Sequence, residues 1–280
     1  MRKSLHISST ATFVFIIVII SRTLCVCCHP HHLQIQTLNN PSTGNSFCPL
    51  RLPNHMQRMA SSNKALVEYL WSSGVIGSTK VAEVMGAIDR ALFVPSGTPA
   101  YVDSPMPIGY NATISAPHMH AMCLDLLEKH LQPGMHALDV GSGTGYLTAC
   151  FAAMVGPKGR VVGVEHIPEL AAQSIKNIEK SEVAPLLKEG VLSIHVGDGR
   201  LGYPDCAPYD AIHVGAAAPK IPQQLLDQLK PGGRLVIPVG NIAQDLKVVD
   251  KGLDGSISVR RETSVRYVPL TSREAQLQGY

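Results

Sequence analysis

From residue 135 onward the apolar and polar positions repeat in one order: a short unalternated apolar run, a turn bearing glycine or acid, then a stretch with helical spacing. The spacing predicts strands over 137–140, 160–164, 192–196, 209–214 and 234–239, with helices near 168–180 and 222–229. Runs without alternation belong to strands buried on both faces, so the order implies a parallel sheet between helical layers. Upstream the period is helical. Leu66, Val67, Leu70 and Trp71 share one face, with Gly74 as a stop, and a second helix from Ser78-Thr79 carries Val81, Val84, Met85, Ile88 and Leu92 up to Pro95. These two helices form a cap. Residues 101–120 hold three prolines among hydroxyl and imidazole groups, which predicts a loop. Pro117 suits the first turn of a helix bearing Met119, Met122, Leu126 and Leu127 and ending at Pro133-Gly134. The tail adds strand-like runs at 246–249 and 264–268, with Asp254-Gly255 as a turn signal.

This pattern divides the chain into a segment 1–58, a cap with a polar loop over 59–134, a core over 135–245 and closing strands over 246–280. Arg2 and Lys3 precede an apolar run centred on 13–20, a basic start followed by a run too short for a comfortable membrane span. A signal peptide, a signal anchor and an organelle leader all fit. Residues 33–58 read as a linker, and Met59-Ala-Ser-Ser as a natural start for the folded part. The Cys/His cluster at 25–32 has no second ligand pair at zinc spacing, so no metal is assigned to it. Lys plus Arg (24) barely exceeds Asp plus Glu (21), and no long basic run occurs, which argues against a nucleic-acid surface. Cys123, Cys150 and Cys206 are scattered through the folded part and read as reduced thiols.

The chemistry gathers at 137–145, Ala-Leu-Asp-Val-Gly-Ser-Gly-Thr-Gly, a strand running into a glycine turn and a helix. Glycines let the backbone turn sharply and approach a ligand, and the helix start offers free N–H groups. The dinucleotide fingerprint needs a third glycine at 146, where Tyr146 stands. That favours S-adenosylmethionine, which has a nucleoside but no phosphate. In such sheets ligands bind beyond the carboxyl ends of the strands. Glu165 falls there, about twenty residues past the glycines, where an acid takes both ribose hydroxyls. Asp198 is placed to accept from an adenine amino group. Asp139, just before the glycines, either orients the loop or faces the cofactor amine. Singly, each acid is equally at home as a helix cap; together they describe a nucleoside site.

These residues carry a resemblance. The stretch 137–145 is similar to the first motif of class I S-adenosylmethionine-dependent methyltransferases. Ala112-Thr-Ile-Ser-Ala-Pro-His-Met-His120 resembles the signature of the protein-L-isoaspartate O-methyltransferase family. So do Ser104-Pro105, Gly197-Asp-Gly-Arg200, the stretch from Tyr209 to Pro219, Leu229-Lys-Pro-Gly-Gly-Arg-Leu235 and Val268-Pro-Leu-Thr271. The likeness covers 59–280, and the N-terminal extension suggests a plant-type member. It implies a Rossmann-like, doubly wound, mostly parallel sheet with an N-terminal helical cap and a C-terminal strand extension. It also implies methyl transfer from S-adenosylmethionine, leaving S-adenosylhomocysteine, to the free α-carboxylate of L-isoaspartyl residues in damaged proteins. The ester then closes to a succinimide.

By the same resemblance Ser115 is the catalytic residue, donating a hydrogen bond that aims the substrate carboxylate. The cofactor pocket is implied at Ala112, Thr113, Ile114, Ser115, His120, Asp139, Gly141, Ser142, Gly143, Thr144, Glu165, His166, Asp198, Gly199, Thr271 and Gln276. A metal is not implied, since the His118/His120 pair has no third ligand in evidence. Gly215-Ala-Ala-Ala-Pro219 offers small side chains where base-amine methyltransferases carry an Asn/Asp-Pro-Pro-aromatic motif, which suits a peptide backbone and disfavours nucleic acid. The expected partners are isoaspartyl proteins and peptides, no nucleic acid, and a membrane or the targeting machinery through residues 1–30. A monomer is expected, cytoplasmic for the catalytic core, with the extension directing the long form to a secretory or organellar compartment. The alternatives are a non-catalytic isoaspartyl-protein binder and another class I O-methyltransferase.

Overall fold

The computed structural model describes residues 60–279; the leader and linker expected over 1–58 lie outside them. Helix α1 (Asn63–Ser72) starts where the Ser62 hydroxyl accepts from the Ala65 amide, and buries Leu66, Val67 and Leu70. Trp71, expected on the same face, is 44% exposed. At the other end of the helix Asn63 is buried, and its amide donates to the Met85 carbonyl at 2.8 Å and the Gly86 carbonyl at 3.1 Å, tying α1 to the end of α2 (Thr79–Ala87). The helix expected to run on to Leu92 breaks at Ile88, whose backbone is extended, and resumes as a 3-10 turn at Arg90–Phe93 capped by Asp89. The periodicity missed this break because Ile88 and Phe93 stay fully buried on either side of it.

The expected loop over 101–120 contains a hairpin. Strand β1 (Met106–Gly109) pairs antiparallel with β2 (Ala112–Ile114). The two turn residues, Tyr110 and Asn111, have φ of 54° and 57°. Two left-handed central residues match the right-handed twist of the strands they join, and asparagine tolerates that conformation. Helix α3 (Pro117–Leu127) opens at its proline as expected, but buries His120, Ala121, Cys123, Leu124 and Leu127. Met119, Met122 and Leu126, expected on that face, are half-buried, and a 3-10 turn at Glu128–His130 ends the segment before Pro133.

The sheet then builds in chain order: β3 (His136–Val140), α4 (Tyr146–Val155), β4 (Arg160–Glu165), α5 (Pro168–Ile178), α6 (Ala184–Lys188), β5 (Leu192–Val196), β6 (Tyr209–Val214), α7 (Gln223–Gln228), β7 (Leu229–Val239), β8 (Gln244–Lys251), β9 (Ile257–Val265) and α8 (Arg273–Gln278). The seven strands lie in the order β5-β4-β3-β6-β7-β8-β9, parallel through β7 and antiparallel beyond it. Successive residues point to opposite faces. Ala137, Val161, Ala211 and Val236 therefore join the core shared with α1 to α4, while Leu138, Val162, Ile212 and Leu235 join a second core with α7. Both faces are covered, which is why the runs show no alternation.

Strand β7 begins earlier than expected: Tyr209 pairs with Leu229 and Ala211 with Arg234, so Lys230-Pro-Gly-Gly233 forms an irregularity inside the strand. Strand β9 lies over 257–265 instead of 264–268, and most of it is exposed. As the sheet's edge it buries little, so no apolar pattern marks it. The short helices α6 and α8 carry too few periodic positions to be read from sequence. The strand order reverses between β3 and β6, and the crevice beyond their carboxyl ends is where such sheets bind ligands.

Candidate active site

Gly141, Gly143 and Gly145 turn the chain out of β3 with φ of 74°, 54° and 87°. Gly141 and Ser142 donate their amides to the Val164 carbonyl of β4, and Gly215, after β6, donates to the Val140 carbonyl at 2.8 Å. A Cβ on Gly215 would meet the Gly141 carbonyl oxygen at 3.0 Å, so the close approach of the two turns favours glycine at 215. A Cβ on Gly145 would meet the Ser174 Cβ at 3.0 Å and the Ile178 Cδ1 at 3.2 Å, both on α5. The close-packing glycine that seemed missing at 146 is thus present one residue earlier. Glu165, 6% exposed, braces the loop: one carboxylate oxygen accepts from Gly143 N–H at 2.9 Å, the other from Ile167 N–H at 3.0 Å.

Two adjoining cavities open under this loop, about 510 Å³ and about 380 Å³ of empty space continuous with solvent. They share Ile108, Thr113, Gly141, Gly143 and Gly215. The first is walled by Ala112, Glu165, His166, Gly199, Thr271 and Gln276, the second by Ile114, Ser115, His120, Asp139, Ser142 and Thr144. Every residue expected in the pocket lies on one wall or the other except Asp198. Its carboxylate caps the turn at Gly199–Leu201 and accepts a forked pair of hydrogen bonds from Arg200, at 2.9 and 2.6 Å, so it is engaged two residues along its own chain. That pairing holds the Asp198 carboxyl below its ordinary range.

The second cavity is backed by a buried acid–base pair. Asp139 accepts from the Thr148 hydroxyl at 2.6 Å and lies 2.8 Å from Nδ1 of His213. Burial pulls the His213 imidazole down, but its hydrogen bonds to Asp139 and Cys123 outweigh that and push it up to about 10. His118 and His120, adjacent on the sequence signature, engage different partners. His118 Nδ1 sits 2.8 Å from Asp103, and that hydrogen bond raises its pKa. His120 Nδ1 sits 3.2 Å from Arg90 Nη1; burial and then the Arg90 charge push His120 well below its ordinary range. On the first cavity, His166 Nε2 lies 2.8 Å from the Gln276 side-chain oxygen. Gln276 in turn donates to the Tyr110 carbonyl at 2.9 Å and accepts from the Asn111 amide at 2.8 Å, joining α8 to the β1–β2 turn.

Sequence reasoning missed Arg90, His213 and Tyr267. The signals that could have found them are a lone basic charge inside the mostly apolar stretch 88–94 for Arg90 and an imidazole inside a wholly buried strand for His213. Tyr267, whose hydroxyl meets Cys123 and Ser115 and is driven up by burial, lies in the run 264–268 that reads as strand and gives no sign of a place in the site.

A glycine loop at the reversal of a doubly wound sheet, braced by an acid at the end of the next strand, defines a class I S-adenosylmethionine-dependent methyltransferase fold. Within that class the chain belongs to the protein-L-isoaspartate(D-aspartate) O-methyltransferase family, whose family model matches residues 61–275. A wheat protein-L-isoaspartate O-methyltransferase is 73% identical over 216 residues, 77% of this chain and 94% of the relative. Protein-L-isoaspartate O-methyltransferase 2 of Arabidopsis thaliana is 62% identical over 265 residues, 90% of this chain and 85% of the relative. Among solved structures, a Plasmodium falciparum chain described as a protein-L-isoaspartate O-methyltransferase, in complex with S-adenosyl-L-homocysteine, matches with a TM-score of 0.70 and 35% identity, over 75% of this chain and 98% of that one.

Proposed function

We propose that this chain methylates the free α-carboxylate of L-isoaspartyl residues in proteins and peptides, with S-adenosylmethionine as the methyl donor. The observation that carries the reading is the position of Ser115. It lines the cavity under the glycine loop and also a groove bounded by Pro105, Ala116, His118, Met119 and residues 264–267. A cofactor in the cavity and a peptide in the groove meet at this serine.

The chain's own groups suit such a cofactor. The glycine cradle admits close backbone approach, Glu165 presents a buried carboxylate, and the Ser142 hydroxyl is buried without a hydrogen-bond partner. Glu165, His166, Thr271 and Gln276 would hold the nucleoside, and Asp139, Ser142, Thr144 and His120 the amino-acid end. When bound, the cofactor supplies an electrophilic methyl on a sulfonium. The bound S-adenosyl-L-homocysteine of the Plasmodium falciparum relative supports this choice.

The residues have little acid–base work to do. A carboxylate is already ionised at pH 7. Ser115 donates its hydroxyl to one carboxylate oxygen and aims the other, while the hairpin and residues 268–271 keep water from the line of transfer. Gly215 and Ala216 leave room beside it for a peptide backbone. A monomer, with residues 1–30 addressing the long form to a compartment, completes the proposal; a reporter fused to residues 1–58 tests the latter.

The test is transfer of labelled methyl to paired peptides that differ only in L-isoaspartyl against L-aspartyl linkage. Label should enter the first and essentially not the second. Equal labelling, or none, overturns the reading.

A further inference from the structure

Arg90 is the largest fully buried side chain, 1% exposed, and among the described residues it forms no ion pair with a carboxylate. Its fork is spent on the site. Nη2 donates to the Ser115 carbonyl at 2.8 Å, and Nη1 lies 3.2 Å from His120 Nδ1. Nε has no partner, and the guanidinium carbon sits 5.7 Å from the centroid of the Tyr146 ring, which itself lies 4.9 Å from the His120 ring.

A guanidinium only donates, so Nδ1 of His120 is the acceptor and the ring proton resides on Nε2. An imidazolium would set its own N–H against a cation's N–H. The groups around the ring agree: Arg90 from the 3-10 turn, His213 from β6 and His118 from α3 all disfavour a charged ring, and the two acids nearby, Asp139 and Asp103, are engaged by His213 and His118. The remaining polar atom, Nε2–H, has no hydrogen bond among the described residues, while the ring lines the second cavity beside Ser142 and Thr144. An apolar side chain of the same length would fill this part of the core without desolvating a charge. Packing alone therefore leaves the cation unexplained.

We infer that Arg90 is a positioning residue for the methyl transfer, fixing the Ser115 segment through its carbonyl and holding His120 as an uncharged Nε2–H donor toward the cofactor cavity. The inference rests on the reading that this cavity takes S-adenosylmethionine. A neutral donor binds an oxygen of that ligand without adding to the positive charge already near its sulfonium. The Arg90 charge, set behind the Ser115 carbonyl, feels Asp103 without pairing with it, and the substrate carboxylate adds a further counter-charge when it arrives.

Nitrogen-15 NMR of the histidine-labelled full chain with S-adenosylhomocysteine decides the tautomer without any variant. The His120 ring should show an unprotonated Nδ1 and a protonated Nε2 from pH 6 to 9. A proton on Nδ1, or titration of this ring inside that range, overturns the inference. In Arg90→Met the ring should become a tautomer mixture. Its kcat on an isoaspartyl peptide should fall roughly 10- to 100-fold, the loss expected when hydrogen bonds from a charged donor are removed. Arg90→Lys keeps the charge and one donor and should recover part of the rate. A folded Arg90→Met with kcat within twofold of the parent, or a Lys variant no better than Met at equal melting temperature, also overturns it. Should Arg90→Met not fold, the parent spectrum still decides. A parent that methylates the isoaspartyl peptide but carries the proton on Nδ1 refutes this inference alone; a parent inactive on that peptide refutes the reading of function.

Discussion

Asp139 and His213 occupy the same register on neighbouring parallel strands, and their side chains meet at 2.8 Å just where β3 and β6 diverge. The pair thus sits at the root of the crevice, beneath the glycine loop. His213 is held up at about 10 against an unfolded value near 6.5. A raised folded value means that the pair's stabilisation is complete below about pH 6.5 and fades as pH rises through about 10. The urea midpoint of the parent should therefore fall more between pH 6 and pH 10 than that of His213→Gln. At pH 6 the variant should be less stable by about 3–5 kcal/mol, the range for breaking a buried pair. Parallel curves for the two proteins would count against the pairing.

Ser115→Ala removes one hydrogen bond to a charged carboxylate, worth about 1.5–3 kcal/mol. Turnover of an isoaspartyl peptide should drop roughly 10- to 100-fold, with S-adenosylhomocysteine affinity nearly unchanged by calorimetry. A complete loss of activity in a well-folded variant, or a methyl-serine recovered at 115, would show that the serine reacts covalently instead.

Glu165 serves two masters, the backbone of its own loop and the cavity. Glu165→Ala should weaken cofactor binding by about 1–3 kcal/mol, because buried N–H groups and ligand hydroxyls lose their acceptor together. Glu165→Gln retains one acceptor oxygen and should bind with intermediate affinity. Unchanged calorimetric affinity in folded Glu165→Ala would remove this residue from the site.

Gly145→Ala tests the packing of the loop against α5. The position has φ of 87° and its added methyl would meet the Ser174 Cβ at 3.0 Å. Left-handed strain and overpacking each cost about 1–3 kcal/mol. The melting temperature should fall by several degrees; an unaltered melt would mean that α5 gives way freely.

Sequence alone located the parallel strands because burial on both faces concentrates apolar residues, and it located the cavity because glycines and acids recur at strand ends. It failed where the cause was not periodic. The β1–β2 hairpin depends on Tyr110 and Asn111 both adopting left-handed backbone, and Ala-Thr-Ile beside three prolines gives no alternation to read. Strand β9 is mostly exposed and polar, so its pairing with β8 left no apolar trace. Asp139 and Glu165 lie on the cavity walls and Asp198 does not; Arg90 and His213 went unread because they reach the site from segments whose own patterns read as core.

The hydrogen bonds between Gln276 and the Tyr110–Asn111 turn join residues 166 and 165 positions apart. At about 5–20 residues per second of synthesis, roughly 10–30 s separate the appearance of the two halves. Once Glu165 has emerged, and for the rest of that interval, a nascent chain holds its glycine loop, Glu165 and Ser115 but lacks the Gln276 wall, so competence to retain a cofactor waits for α8.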